Sequence, residues 1–423
     1  TLGNSQLSTF IWVAADNPNV TGESTTPKSG GIINDNINNI SGTDQNVVYT
    51  VTPTGVNGCV GNPFTVTATI KSEPHGWNAS ISTCSDEALS YNLQTQNVNI
   101  LGNSQVATFV WVAANNPDVG GESTTPQSGN VINDVLNNVT GSDQNVVYTV
   151  TPTGVNGCVG DPFTVTVTVK SEPVGWNASA TSCSDVAVGF NLQTLVINVL
   201  PGNSQASNFN WVAADNPDVT GESLTPQSGN TITDVITNVT GSDQTVVYTV
   251  TPTGVNGCVG NPFTVTVTVK SEPVGGAGTT SSCSDVGLSY DLQNNVNTLG
   301  NSQLSTFIWV AADNPNVTGE STVPQSGNVI TDVITNDTGT DQDVVYTVTP
   351  TGANGCAGDA FTVTVTVRPE PVGSNDSETV CSGNPFSYDL QANINSNNGV
   401  NSLFTYTVSS SDPVNVPPEP DRV

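Results

Sequence analysis

Phe163, Val165, Val167 and Val169 alternate with Thr164, Thr166 and Thr168, the period-two pattern of a strand with one buried face. VVYTVTPT lies just before it at 146–153, and a Gly- and Asn-rich turn separates the two, so they read as a hairpin. Phe109 and Trp111 share one face of an earlier strand. The position between them is Ile11, Val110, Asn210 or Ile308 in successive copies, so that face tolerates a polar group and the Phe and Trp side faces the core. VINDVLNNV at 131–139 fits helical spacing through Ile132, Val135, Leu136 and Val139, but its copy TITDVITNV at 231–239 favours a strand.

These patterns recur. TFIWVAADNPNVTGES at 9–24 returns at 108–123, 208–223 and 306–321, a period of 99, 100 and 98 residues. VVYTVTPTGVNGCVG returns in step at 47–61, 146–160 and 246–260, with a drifted copy at 344–358. Units close on FTVTVTVK followed by Ser-Glu-Pro, as at 163–173, or on a near copy of it such as FTVTATIK at 64–71 and FTVTVTVR before Pro-Glu-Pro at 361–371, where a Pro beside Ser or Gly takes the chain out of a sheet. The predicted modules are 75–173, 174–273 and 274–371, flanked by a partial repeat at 1–74 and a partial, divergent one at 372–423 with FTYTVSSSDPVNV at 404–416. Several short strands per hundred residues, turn signals every 8 to 12 residues and a Trp in an early strand predict an all-β chain of tandem immunoglobulin-like sandwiches forming an elongated stalk. A hundred residues suffice for an independent core.

Composition agrees with this and removes several partners. Thr, Val, Asn, Gly and Ser dominate and Met is absent, which favours strands and turns over helices. Six Lys and Arg stand against 36 Asp and Glu, for a formal net charge of −30. Such a surface repels phosphate backbones and anionic bilayers, so neither nucleic acid nor direct membrane insertion is expected. The chain starts at Thr1 in mid-repeat and holds no apolar run of 18 residues, and it reads as a fragment of something longer whose export signal and anchor lie elsewhere.

Eight cysteines, at 59, 84, 158, 183, 258, 283, 356 and 381, alternate with gaps of 25 and roughly 74. With no CxxC and a single His, zinc is disfavoured. Disulfides imply an oxidising, extracellular compartment. Cys59 to Cys84 would link the last hairpin of one module to the first strand of the next, and Cys84 to Cys158 would close within one module. If the first strand begins at the pole of its own module's last hairpin, a neighbour's first strand lies about 25–33 Å away, beyond the roughly 7 Å that a disulfide spans. The expected bonds are therefore Cys84–Cys158, Cys183–Cys258 and Cys283–Cys356, with Cys59 and Cys381 bonded outside the chain.

A module that opens with CSDVAVGFNL at 183–192 or CSGNPFSYDL at 381–390, carries WVAADNPDVTGES at 211–223 and closes on VVYTVTPTGVNGCVGNPFTVTVTVKSEP at 246–273 resembles the PKD-like repeats of very large Bacteroidota surface proteins. Among these are SprB-type gliding-motility adhesins exported by the type IX secretion system. The resemblance covers nearly the whole chain and implies a bacterial cell-surface or fibre location.

Repetition also tests candidate chemistry, because a site that belongs to the module should recur in every copy. His75, whose counterparts are Val174, Val274 and Val372, reads as a linker residue. No nucleophile and base recur together and no phosphate-cradling loop appears, so no catalytic residue and no organic cofactor is expected. Calcium suits the loop DNPDVTGE, where Asp215, Asn216, Asp218 and Glu222 offer oxygen ligands. Glu23, Glu122 and Glu320 match Glu222 in the other copies, and Asp44, Asp143, Asp243 and Asp341 are further donors. The plainer reading is Asx-turn chemistry plus solubility, because Asp16 becomes Asn115 and Asp218 becomes Asn19 or Asn316. Trp77 and Trp176, replaced by Gly276 and Ser374, suit packing at a junction better than a repeated sugar site. Lys71, Lys170 and Lys270 become Arg368, which nearly excludes an isopeptide crosslink in each module. The sequons at Asn138 and Asn238 arise readily by chance in a Thr- and Asn-rich chain.

The sequence thus points to an extracellular adhesin or filament stalk whose partners are the neighbouring modules and a surface polysaccharide or solid substratum. Accessory modules of a secreted polysaccharide-degrading enzyme and a self-assembling surface-layer or pilus-like polymer are the alternatives.

Overall fold

A computed structural model describes residues 7–98, 105–197, 205–299 and 302–409. Each complete repeat builds one five-stranded sheet and two small two-stranded ones. In the repeat that begins at 75, the order across the large sheet is Gln127–Ser128, Ala107–Ala113, Gln144–Gly154, Phe163–Lys170 and Ala79–Cys84. Three of the four pairings are antiparallel. The last is parallel, with Val165 opposite Ala79 and Lys170 opposite Cys84, so the first strand of a module runs in the same direction as its last and ends at the same pole.

The hairpin read from the sequence forms with Val150 opposite Phe163. Alternation is strict in Phe163–Lys170, whose Phe and Val side chains are buried while its Thr side chains are half-exposed. Phe109 and Trp111 point inward and Val110 outward, as the polar substitution at Asn210 requires. The opposite layer is made of short pairs, Val119–Gly120 with Asn137–Asn138 and Val131–Ile132 with Tyr91–Asn92. Segment 131–139 is therefore extended, with Val135 bridged to Ala88 and Ile132 and Leu136 fully buried. Between the layers one apolar core unites Phe109, Trp111, Tyr148, Phe163 and Ile132, and the same core recurs in the next two repeats. The chain is an elongated array of β-sandwich modules.

Helix enters where composition alone predicts none. Helical turns cover Gln94–Val98, Gln193–Ile197 and Gln293–Leu299, just ahead of each Trp strand. Val98, Val196 and Val296 from these turns join the core, and each turn is too short for a periodic signal to develop. In the first repeat the large sheet has four strands and Phe64–Ile70 lies at its edge. In the divergent stub the helix Leu390–Asn397 is capped by Asp389, and residues 410–416 of FTYTVSSSDPVNV lie outside the described residues.

A polar clamp ties the two layers of every module. Asp234 accepts hydrogen bonds from the Tyr248 hydroxyl at 2.7 Å and from the Ser223 backbone N–H and hydroxyl at 2.8 Å each. Asp35, Asp134 and Asp332 make the same three contacts. Burial, followed by the hydrogen bond and charge of Asp234, pushes the Tyr248 hydroxyl well above its ordinary pKa. The phenol therefore remains a donor and the carboxylate an acceptor.

Candidate functional site

A recurring set of polar and glycine residues gathers where one module meets the next. A strand that ends in Lys170 runs into Ser171-Glu172-Pro173, and the turn between Gly254 and Phe263 of the following module folds back on this linker. The Asn256 side-chain amide donates to the Ser171 carbonyl at 2.6 Å, and its oxygen accepts from the Cys258 backbone N–H at 3.1 Å. Both ends of one side chain thus fix the turn to the neighbour. Asn156 on Ser72 and Asn354 on Ser271 repeat the contact at 2.7 Å. Asp143 and Asp243 accept from the Ser171 and Ser271 backbone N–H groups at 3.1 Å, and Asp44 accepts from Ser72 at 2.9 Å, so these Asp residues secure the linker. The Lys71 and Lys270 ammonium groups reach the carbonyls of Asn156 and Asn354 across the joint.

The turn comes close enough to need a glycine. A Cβ on Gly260 would stand 1.9 Å from the Pro173 carbonyl oxygen, and Gly160 and Gly358 sit equally close to Pro74 and Pro273. A backbone atom cannot rotate out of the way. Gly260→Ala is expected to open this one joint at a cost of about 1–3 kcal/mol, the range for overpacking. Hydrogen exchange should quicken in 171–177 and 254–262 while the strands at 244–250 stay protected, and unchanged exchange in the linker would contradict the close approach.

The disulfides correct the pairing expected within modules. Cys84 is bonded to Cys258 and Cys183 to Cys356, with Cα separations of 5.6 and 5.5 Å. Each bond joins the first strand of one module to the last hairpin of the next. Cys158 and Cys283 are free thiols, as are Cys59 and Cys381. The expectation failed on where the cysteine sits in its strand. Cys84 closes the strand Ala79–Cys84, five residues and about 17 Å from its start. Because that strand is parallel to the last one, Cys84 lies beside Lys170 at the exit pole, far from its own hairpin turn and against its neighbour's.

Carboxyl groups crowd the same pole. Burial, then the charge of Asp86 and a hydrogen bond to it, raises Glu172 to about 7. Burial, the Asp185 carboxylate and then Asp359 of the next module raise Glu272 to about 7. A Glu whose folded pKa lies above its unfolded one takes up a proton on folding. It favours the joint at low pH and loses that contribution as pH climbs from about 4.5 to 7. Protection of 271–277 against hydrogen exchange, corrected for intrinsic rate, should be higher at pH 5 than at pH 8. Glu272→Gln should flatten the dependence, and a joint that tightened with rising pH would contradict it.

The calcium loop is assembled as a turn. The Asn216 side-chain oxygen accepts from the Asp218 N–H at 3.0 Å, its amide donates to the Thr245 carbonyl at 2.9 Å, and Glu222 accepts from the Asn216 N–H. Glu23, Glu122 and Glu320 make the last contact in their own copies. Asp215 and Asp218 are exposed. Among the described residues no group of three or more His, Cys, Asp and Glu is placed to hold a metal ion.

Trp77 leans edge-on against His75 with ring centroids 5.0 Å apart. Trp176 is 57% exposed, more open than a junction-packing role would leave it. The sequon residues Asn138 and Asn238 are buried at 7% exposure, and their amides donate to two backbone carbonyls each. They hold the loop to the last strand and leave no nitrogen accessible for a glycan.

Sequence reasoning passed over Asn256, Gly260 and the clamp residue Asp234. All three recur in every complete copy, so the internal comparison that isolated the Trp segment contained their signal.

The family model described as PKD-like domain matches residues 3–74, 81–173, 180–273 and 280–371. The chain belongs to the PKD-like domain family, a non-catalytic domain type, in four tandem copies. None of the curated proteins matches. Among solved structures it is similar to the human desmocollin-1 ectodomain, at 10% identity and TM-score 0.23 over 90% of this chain and 79% of that one. It is also similar to Drosophila N-cadherin EC1-4, at 11% and 0.19 over 87% and 94%. A third is BT4661 of Bacteroides thetaiotaomicron, a SusE-like surface-located polysaccharide-binding protein, at 11% and 0.20 over 77% and 52%. Scores this low do not bear on function. Among the described residues no helix is long and apolar enough to cross a membrane.

Proposed function

We propose that the chain is a stalk segment of an extracellular bacterial adhesin or filament, in which the modules are spacers and contact is made along the fibre or at its tip. The observation that carries this reading is the recurrence of one joint, an Asn amide on a Ser carbonyl with a glycine packed against a proline carbonyl, at all three boundaries. A fixed joint adds constant length and direction per module, which a spacer needs. Weak contacts to surface polysaccharide or a solid substratum would then be multiplied by repetition. Resemblance to SprB-type adhesins supports a place on the cell surface, type IX export and a part in gliding.

Antibody labelling of the repeat on intact living cells, with tracking of the label, tests the reading. Label along filaments that travel over the cell supports a motility adhesin. Stationary filament label leaves an attachment fibre or surface polymer, and label found only in the medium favours accessory modules of a secreted polysaccharide-degrading enzyme.

A further inference from the structure

The two disulfides bridge overlapping stretches of chain, 84 to 258 and 183 to 356. Followed atom by atom, they define two covalent routes through the array. One runs from Cys59 through 25 residues to Cys84, crosses the disulfide to Cys258 and continues through 25 residues to Cys283. The other runs from Cys158 to Cys183, crosses to Cys356 and continues to Cys381. Each route takes the last strand of one module, the linker and the first strand of the next, and then passes by sulfur into the last strand of the module after that. In each complete module one route therefore occupies the first strand and the other the last.

Those two strands are hydrogen-bonded neighbours and run parallel, over Ala79–Cys84 with Val165–Lys170, Ala178–Cys183 with Val265–Lys270, and Gly278–Cys283 with Val363–Arg368. Strand residues already rise about 3.3 Å each, against a limit near 3.6 Å for a fully drawn chain. Little slack remains in either route while the modules are folded. The rest of each module, including the Trp strand and the short-stranded layer, hangs between disulfide-linked points and lies off both routes.

We infer that the oxidised array is a two-ply covalent cable, in which paired and staggered disulfides carry axial tension past the hydrophobic cores. Pulling loads the parallel strand pair along its length and leaves the bypassed polypeptide unstretched even where a module has unfolded. The inference goes beyond a stalk role and holds wherever the fibre is displayed.

The test is single-molecule stretching of the whole chain between handles joined by thioether to Cys59 and Cys283, both exposed, with Cys158→Ser and Cys381→Ser removing the other thiols. Fully stretched, the oxidised chain should reach about 180 Å between the attachment points, two segments of 25 residues at 3.6 Å per residue. After reduction the same molecules should reach about 800 Å, roughly 4.5 times further, because all 224 residues from 59 to 283 then extend. An oxidised length of about 540 Å, the value if Cys183 were bonded to Cys258 within its module and Cys84, with Cys158 replaced, had no partner, would overturn the cable, as would an oxidised length equal to the reduced one. Neither result would touch the cell-surface reading, which rests on where the label is found.

Discussion

Replacing Asp234 by Ala is expected to destabilise the module 174–273 by about 4 kcal/mol. The carboxylate accepts three hydrogen bonds, from the Tyr248 hydroxyl and from both the N–H and hydroxyl of Ser223, and bonds to charged groups contribute about 1.5–3 kcal/mol each before the non-additivity of a shared acceptor. Tyr248 is fully buried, so its hydroxyl would be left without an acceptor and would carry its desolvation penalty into the folded state. Tyr248→Phe removes one bond and strands neither partner, because Asp234 keeps Ser223; about 1.5 kcal/mol is expected there. Hydrogen exchange over 244–250 and 263–270 reads the effect in this module alone, with the equivalent strands of the neighbours as internal controls. Equal effects from the two substitutions would mean that the clamp acts through the phenol alone.

Much of the fold follows from local rules that the sequence states openly. Thr and Val alternate where Phe163–Lys170 has one face in the core, and Phe109 and Trp111 are spaced by two where the Trp strand faces the same core. A fourfold internal repeat supplies the comparison that a single domain would lack. The helical turns were not legible, because five to seven residues with one or two buried positions carry no period. Neither was the joint. Its chemistry lies in pairs far apart in sequence, such as Asn256 with Ser171 and Gly260 with Pro173, and no local pattern links them. The disulfide error arose from geometry of a similar kind. Spacing gave the alternation of 25 and roughly 74 residues, but whether Cys84 meets Cys158 or Cys258 depends on the first strand running parallel to the last and carrying its cysteine at the far end. Parallel pairing of strands at opposite ends of a module leaves no mark on either strand.

Removing the bond between modules should be the largest single perturbation of the array. In the chain-entropy picture, a link across the 174 residues between Cys84 and Cys258 restricts the unfolded chain by about 5 kcal/mol. The double change Cys84→Ser with Cys258→Ser avoids leaving either member of the pair as a new unpaired thiol, and in the oxidised protein it should lower the free energy of opening the joint and the third module by about that amount. Cys158→Ser should be almost neutral, because Cys158 is already a free thiol. Bonds within modules would reverse the second expectation, since Cys158→Ser would then break the link to Cys84 and cost about 4 kcal/mol, roughly half the cost of the double change, which would break two bonds. Denaturant midpoints of the three oxidised proteins, compared with the same set under reducing conditions where all should converge, separate the two pairings without any structural measurement.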